Sequence, residues 1–173
     1  MDDYPLKMHV FNRARLIKNS KNRIPYGVDL IQKYRRESWI VFTENKKQAK
    51  EFNKIINTKG FKSALYNTDL DSGERLENLN KFKKADLNVL VTCTALDEGF
   101  DMPEADGALI LSASSSKRQR VQRMGRVLRI TENKPNALIV TVYSSKTEFD
   151  KLMEEAKRYH KEGVPVSWKR QDR

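Results

Sequence analysis

Apolar residues along this chain gather into short dense runs, separated by stretches in which they recur every three or four positions. Five runs have the length and the β-branched or aromatic content of strands: Trp39 to Thr43, Lys62 to Tyr66, Asn88 to Thr92, Gly107 to Leu111 and Ala137 to Val142. Helical periodicity fills the gaps between them. Asn45 to Thr58 places Ala49, Phe52, Ile55 and Ile56 on one face, and Gly60 supplies a stop signal. Ser72 to Lys84 carries Leu76, Leu79 and Phe82, with Ser72 expected as the N-cap. Lys117 to Arg129 and Ser145 to Lys161 complete the set, the latter presenting Phe149, Leu152, Met153 and Ala156. Strands alternating with helices predict an α/β fold: a mostly parallel sheet of about five to six strands, helices on both faces, and right-handed crossovers. Functional residues then belong at the carboxyl ends of the strands.

Length changes the picture little, because 173 residues suit one domain of ordinary size. The expected division is an N-terminal extension or inter-domain linker over 1–23, the domain itself over 24–162, and a basic tail over 163–173. Charge changes it more. Lys and Arg number 34 against 23 Asp and Glu, a net charge of +11, which favours an anionic partner such as nucleic acid. From Lys117 to Arg129 there are six basic residues and no acid. The single Cys93 excludes an intrachain disulfide and fits a reducing compartment. His9 and His160 lie far apart, so no metal-ligand cluster is expected. No apolar run spans a bilayer and the N-terminus lacks a signal-peptide pattern, so the expectation is a soluble protein of the cytoplasm, the nucleoid or, in a eukaryote, the nucleus.

The chemistry concentrates in two segments. In Gln122-Arg123-Met124-Gly125-Arg126-Val127-Leu128-Arg129, helical spacing puts Gln122, Arg126 and Arg129 on one stripe, and Val121, Met124 and Leu128 on another suited to a core. Planar, permanently charged guanidinium groups held this way suit a polyphosphate. The same residues also fit a plain solvated basic helix. In Val89 to Pro103, an apolar strand runs into Thr92, Cys93 and Thr94, then Gly99 and Asp101, before Pro103 stops the element. Hydroxyls and free amides at a strand's end can bind backbone phosphates, and Asp101 can accept from a ribose hydroxyl. An ordinary strand-to-loop transition with a capping Asp is the plainer reading. Asn67 to Arg75 follows another strand's carboxyl end, which makes Ser72 and Arg75 candidate phosphate contacts. Trp39 reads as core, and Trp168 either stacks on a base or docks on its own domain or on the other half.

Together the two segments resemble motifs V and VI of superfamily 2 helicases, in order and at the expected interval, and Trp39 to Asn45 resembles motif IV. The stretch Asp106 to Arg129 looks most similar to the XPB-type DNA helicases. The resemblance covers roughly 38–143 and implies a RecA-like fold, the second of two such domains that enclose ATP. It implies that Arg126 and Arg129 are arginine fingers, that Gln122 meets the γ-phosphate region, and that Gly99 and Asp101 lie near the nucleotide ribose. Thr92, Thr94, Asn45, Ser72 and Arg75 are the implied nucleic-acid contacts. One departure is visible: the usual phosphate-touching hydroxyl aligns with Cys93, leaving Thr92 or Thr94 to substitute.

The sequence contains no G-x-x-x-x-G-K-[ST] loop and no Asp-Glu-x-Asp or Asp-Glu-x-His motif. Asp97-Glu98 lies several residues beyond its strand and is not taken for the Mg²⁺-binding pair. The chain alone is therefore expected to hydrolyse no ATP. ATP and Mg²⁺ would be held mainly by a first RecA-like domain, either in the same polypeptide, of which this is an excised half, or in a separate subunit. The expected partners are that domain and DNA, with RNA as the alternative, and no membrane. A catalytically incomplete nucleic-acid-binding module is the competing reading.

Overall fold

Tertiary placement follows from the alternation inside each apolar run. The computed structural model describes residues 22–93, 104–111, 137–161 and 165–168. In chain order these form α1 (Arg23–Lys33), β1 (Trp39–Thr43), α2 (Lys46–Thr58), β2 (Ser63–Tyr66), α3 (Ser72–Lys83), β3 (Val89–Cys93), β4 (Gly107–Ile110), β5 (Leu138–Thr141) and α4 (Lys146–Lys161). The strands make one five-stranded sheet of order β2-β3-β1-β4-β5, every neighbouring pair parallel. Successive side chains of β1 point to opposite faces, so Trp39 and Val41 enter one core while Ile40 and Phe42 enter the other. The first core takes Ile24, Val28 and Ile31 of α1 with Ala49, Phe52 and Ile56 of α2; the second takes Leu79 and Phe82 of α3. Burial on both faces explains why β1 and β3 read as unbroken apolar runs rather than as alternating ones.

All five expected strands are present, each within a residue or two of its expected ends. Helix α2 also ends as expected. Gly60 takes φ 87°, and the N–H groups of Gly60 and Phe61 return to the carbonyls of Asn57 and Ile56, closing the last turn.

Two features differ from the sequence reading. The first is α1, which that reading did not anticipate. Ile24, Val28 and Ile31 do recur at helical spacing, but Pro25 and Gly27 resemble punctuation. Pro25 is tolerated because it occupies the first turn, where its missing N–H would have no intrahelical acceptor. Gly27 is required by packing, since a Cβ there would sit 2.5 Å from Leu111 Cδ2.

The second is a correction at α3. Ser72 is not the N-cap; it is the first helical residue, and Asp71 caps the helix from an extended backbone, its carboxylate accepting from Glu74 N–H at 2.8 Å. A carboxylate beside the helix N-terminus also complements the axial dipole, so Asp71 has the stronger claim on that position. Asp71→Ala should lower stability by about 1 kcal/mol, whereas Ser72→Ala should stay within about 0.5 kcal/mol. Chemical denaturation of the two variants reads the difference directly.

Candidate functional site

Because the sheet is wholly parallel, every connection leaving a strand starts at one edge, and the described candidates Asn45, Ser72, Arg75 and Thr92 follow or end strands there. β1 ends at Thr43, whose hydroxyl lies 3.0 Å from the Thr92 carbonyl and 3.2 Å from that of Asn45, tying the ends of β1 and β3 together. Asn45 caps α2, its side-chain oxygen accepting from Gln48 N–H at 3.0 Å. Thr92 lies inside β3 at 1% exposure, its hydroxyl 3.3 Å from the Cys93 carbonyl, so it is turned into the sheet rather than toward a ligand. Cys93, the last residue of β3, is buried as well.

The end of β2 is chemically richer. Asn67 is 3% exposed, and its side-chain oxygen accepts from Asp69 N–H at 3.0 Å, but its buried Nδ2 has no hydrogen-bond partner. Arg75, on the first turn of α3, is half-buried, and its Nε is likewise buried and unpartnered. The Arg75 charge acts on Tyr66: burial pushes the phenol above its ordinary pKa, and the guanidinium partly counters that shift. Two donors without acceptors, one of them on a cation, leave this corner short of an anionic oxygen. Ser72 is exposed beside them.

Nearby, Lys46 and Lys50 of α2 reach across to Asp69, the latter at 2.8 Å. Hydrogen bonds from Lys46 and then Lys50 hold the Asp69 carboxyl below the usual range. These two lysines are therefore partly neutralised. Asn67 and Thr43 were not singled out from sequence. A buried orphan donor and a cross-strand hydroxyl become visible only once β1, β2 and β3 are assembled.

At the opposite end of the same edge, Trp168 packs edge-on against Phe149, ring centroids 5.1 Å apart, and also against Tyr143. It packs on its own domain and keeps 39% of its surface exposed. Gln122, Arg126, Arg129, Gly99, Asp101 and Thr94 lie outside the described residues. Their points of departure are nonetheless fixed. β3 ends at Cys93 and β4 at Ile110, on either side of β1, so the chain leaves the carboxyl edge of the sheet at these two places. Among the described residues no group of three or more His, Cys, Asp or Glu is arranged to hold a metal, and no helix is long and apolar enough to cross a membrane.

Comparison with known proteins bears on this arrangement. Residues 22–131 match the family described as helicase conserved C-terminal domain. The chain is 35% identical over 129 residues to the DNA 3'-5' translocase XPB2 of Sulfurisphaera tokodaii, covering 75% of this chain and 28% of that protein. It is 25% identical over 118 residues to the ATP-dependent rRNA helicase RRP3 of Scheffersomyces stipitis, covering 68% and 24% respectively. It thus spans less than a third of the length of either relative. Among solved structures, the C-terminal domain of the DEAD-box protein Dbp5 superposes with a TM-score of 0.71 at 21% identity, covering 84% of this chain and 82% of that one, a likeness of fold.

Proposed function

The chain belongs to the family of helicase conserved C-terminal domains, with the RecA-like fold of superfamily 2 motors, and from that premise we propose that it is the second motor domain of an ATP-dependent DNA helicase or translocase. The observation that carries the reading is the common departure edge of the two signature segments. The chain stretches that carry Gly99 and Asp101, and Gln122, Arg126 and Arg129, follow the ends of β3 and β4 on either side of β1, and the unpartnered donors of Arg75 and Asn67 belong to the β2 end next to β3. A nucleotide bound on a first RecA-like domain, together with its Mg²⁺, would meet the arginines at this edge. Their charge would stabilise the negative charge that builds up on the transferring phosphoryl group.

The nucleic-acid side of the edge is the β2 corner. Arg75, Asn67 and exposed Ser72 supply donors suited to a backbone phosphate, with no base-reading device among them. Thr94 is the better candidate than Thr92 for the remaining hydroxyl contact, because Thr92 is enclosed by the sheet. Asn45 would act by holding the start of α2 rather than by offering its oxygen, which is already committed to Gln48. Closure of the two domains around ATP and reopening after hydrolysis would alternate the grip on the strand. DNA is favoured over RNA because the relative of higher identity is a DNA translocase.

Arg75→Ala tests the corner. Binding to DNA and to RNA of matched length, measured by anisotropy over a range of salt concentrations, should weaken for the variant, and the slope of log affinity against log salt should drop by about 1. Wild-type protein should prefer DNA. An unchanged slope would remove Arg75 from the phosphate contacts, and a preference for RNA would redirect the motor to that substrate.

A further inference from the structure

A cationic site on the carboxyl edge is already filled, by an acid of the same chain. Lys46 is the first residue of α2, and Lys50 follows one turn later on the same face. Both reach Asp69 in the loop after β2: Lys46 Nζ donates to Oδ1, and Lys50 Nζ pairs with Oδ2 at 2.8 Å. Each carboxylate oxygen thus serves one ammonium group. All three side chains remain open to solvent. The Asp69 N–H donates to Asn67 Oδ1 at 3.0 Å, so the backbone that carries the acid is tied to the end of β2.

The lysines stand where they do least for their own helix. An α-helix carries its positive pole at the N-terminus, where acids are favoured, yet the first turn of α2 has Lys46 and Lys47 and no acid, and its cap is the neutral Asn45. Like charges added to a positive pole raise the local potential, which suits an anion arriving from outside. Asp69 meets that demand only loosely, since an exposed ion pair is worth no more than about fivefold in an equilibrium constant. A phosphodiester offers two anionic oxygens, as the carboxylate does, and a lysine binds phosphate as a point charge that needs no fork geometry. The acid is therefore exchangeable for a phosphate.

We propose that Lys46 and Lys50 form a second station for a nucleic-acid backbone phosphate, in addition to Arg75, and that Asp69 fills this station in the free domain and is displaced by the strand. The inference rests on the assignment of the β2 corner to nucleic acid above. The exchange is one anion for another: the phosphate takes the two ammonium groups, and the freed carboxylate returns to solvent. Asp69 thereby lowers the resting affinity for any polyanion and, when the strand leaves, closes on the lysines again. In a motor whose domains grip and release in turn, the acid favours release.

The test measures binding of a labelled single-stranded oligothymidylate by anisotropy, over a range of salt, to this chain carrying Asp69→Asn, Lys50→Gln or both, with Glu51→Gln as the control. Glu51 is exposed on the same helix next to Lys50, so its substitution changes the net charge equally without opening the pair. Asp69→Asn should tighten binding about fivefold and steepen the slope of log affinity against log salt by about 1, while Glu51→Gln stays within about twofold of wild type. Lys50→Gln should weaken binding less than about twofold in the wild-type background and about fivefold in the Asp69→Asn background, where the lysine has no internal partner to give up. All three positions are exposed, and unchanged melting midpoints will show the variants intact. Equal effects of Asp69→Asn and Glu51→Gln, or a Lys50→Gln effect that is the same in both backgrounds, would reduce Asp69 to an ordinary surface ion pair and overturn the proposal. Arg75→Ala, run in parallel, separates the two levels. If it weakens binding while Asp69→Asn is silent, the displaced acid alone is lost. If Arg75→Ala is silent too, the assignment of the corner to nucleic acid falls first.

Discussion

In the complete motor, Arg126→Ala or Arg129→Ala should lower kcat for ATP by at least about a hundredfold, because in the proposed role each removes a charge aimed at the transition state rather than at ground-state binding. DNA affinity should stay close to wild type, since the strand's phosphate contacts are assigned to the β2 corner. The contrast with Val127→Ala sharpens the claim. The helical spacing expected from sequence sets Val127 off the Gln122, Arg126, Arg129 stripe, so its loss should act mainly through stability. Steady-state ATPase at saturating DNA, paired with DNA binding, distinguishes a finger from a clamp. Arginine variants with normal turnover and lost DNA affinity would place this segment against nucleic acid instead.

The largest effect on folding should come from the contact between β1 and β4. Trp39 is fully buried, and Gly107 is its cross-strand partner. A Cβ on Gly107 would lie 2.6 to 2.7 Å from atoms of the indole ring, so the glycine exists to let the ring lie flat on the neighbouring strand. Trp39→Ala should cost about 3 to 5 kcal/mol by leaving a cavity that the two-sided sheet cannot collapse into. Gly107→Val should cost about 1 to 3 kcal/mol or more by forcing the ring out of place. Both should move the denaturation midpoint at nearly constant slope, because neither alters how much surface unfolding exposes. A loss of stability below about 1 kcal/mol for Trp39→Ala would contradict the packing described here.

Sequence made the sheet legible because each strand is a largely apolar run flanked by polar breaks, buried outright in β1, β3 and β4, a signal that needs no tertiary information. It made α2, α3 and α4 legible for the same reason, through period rather than run length. Helix α1 was obscured by Pro25 and Gly27, whose usual meaning is a break, and only the first-turn position of one and the crowding at Leu111 around the other explain their presence. Arg23 fell in the stretch expected to be an extension or linker; its partner Glu148 lies 125 residues away, and nothing local distinguishes a paired buried arginine from an exposed one. At the functional edge, the strand-end rule located Arg75 correctly relative to β2. It could not tell that Thr92 faces inward or that Asn67 carries an unsatisfied amide, because both depend on how neighbouring strand ends close around them.

The central claim is that this domain contributes charge to a nucleotide held by another domain. The most direct measurement is ATP turnover, with and without DNA, by this chain alone and by the same chain joined to the RecA-like domain that carries the phosphate loop. The account predicts no turnover above background from the chain alone and DNA-stimulated turnover from the joined protein. Hydrolysis by the isolated chain that survives rigorous purification, or a joined protein that turns over ATP equally well with this chain deleted, would contradict it.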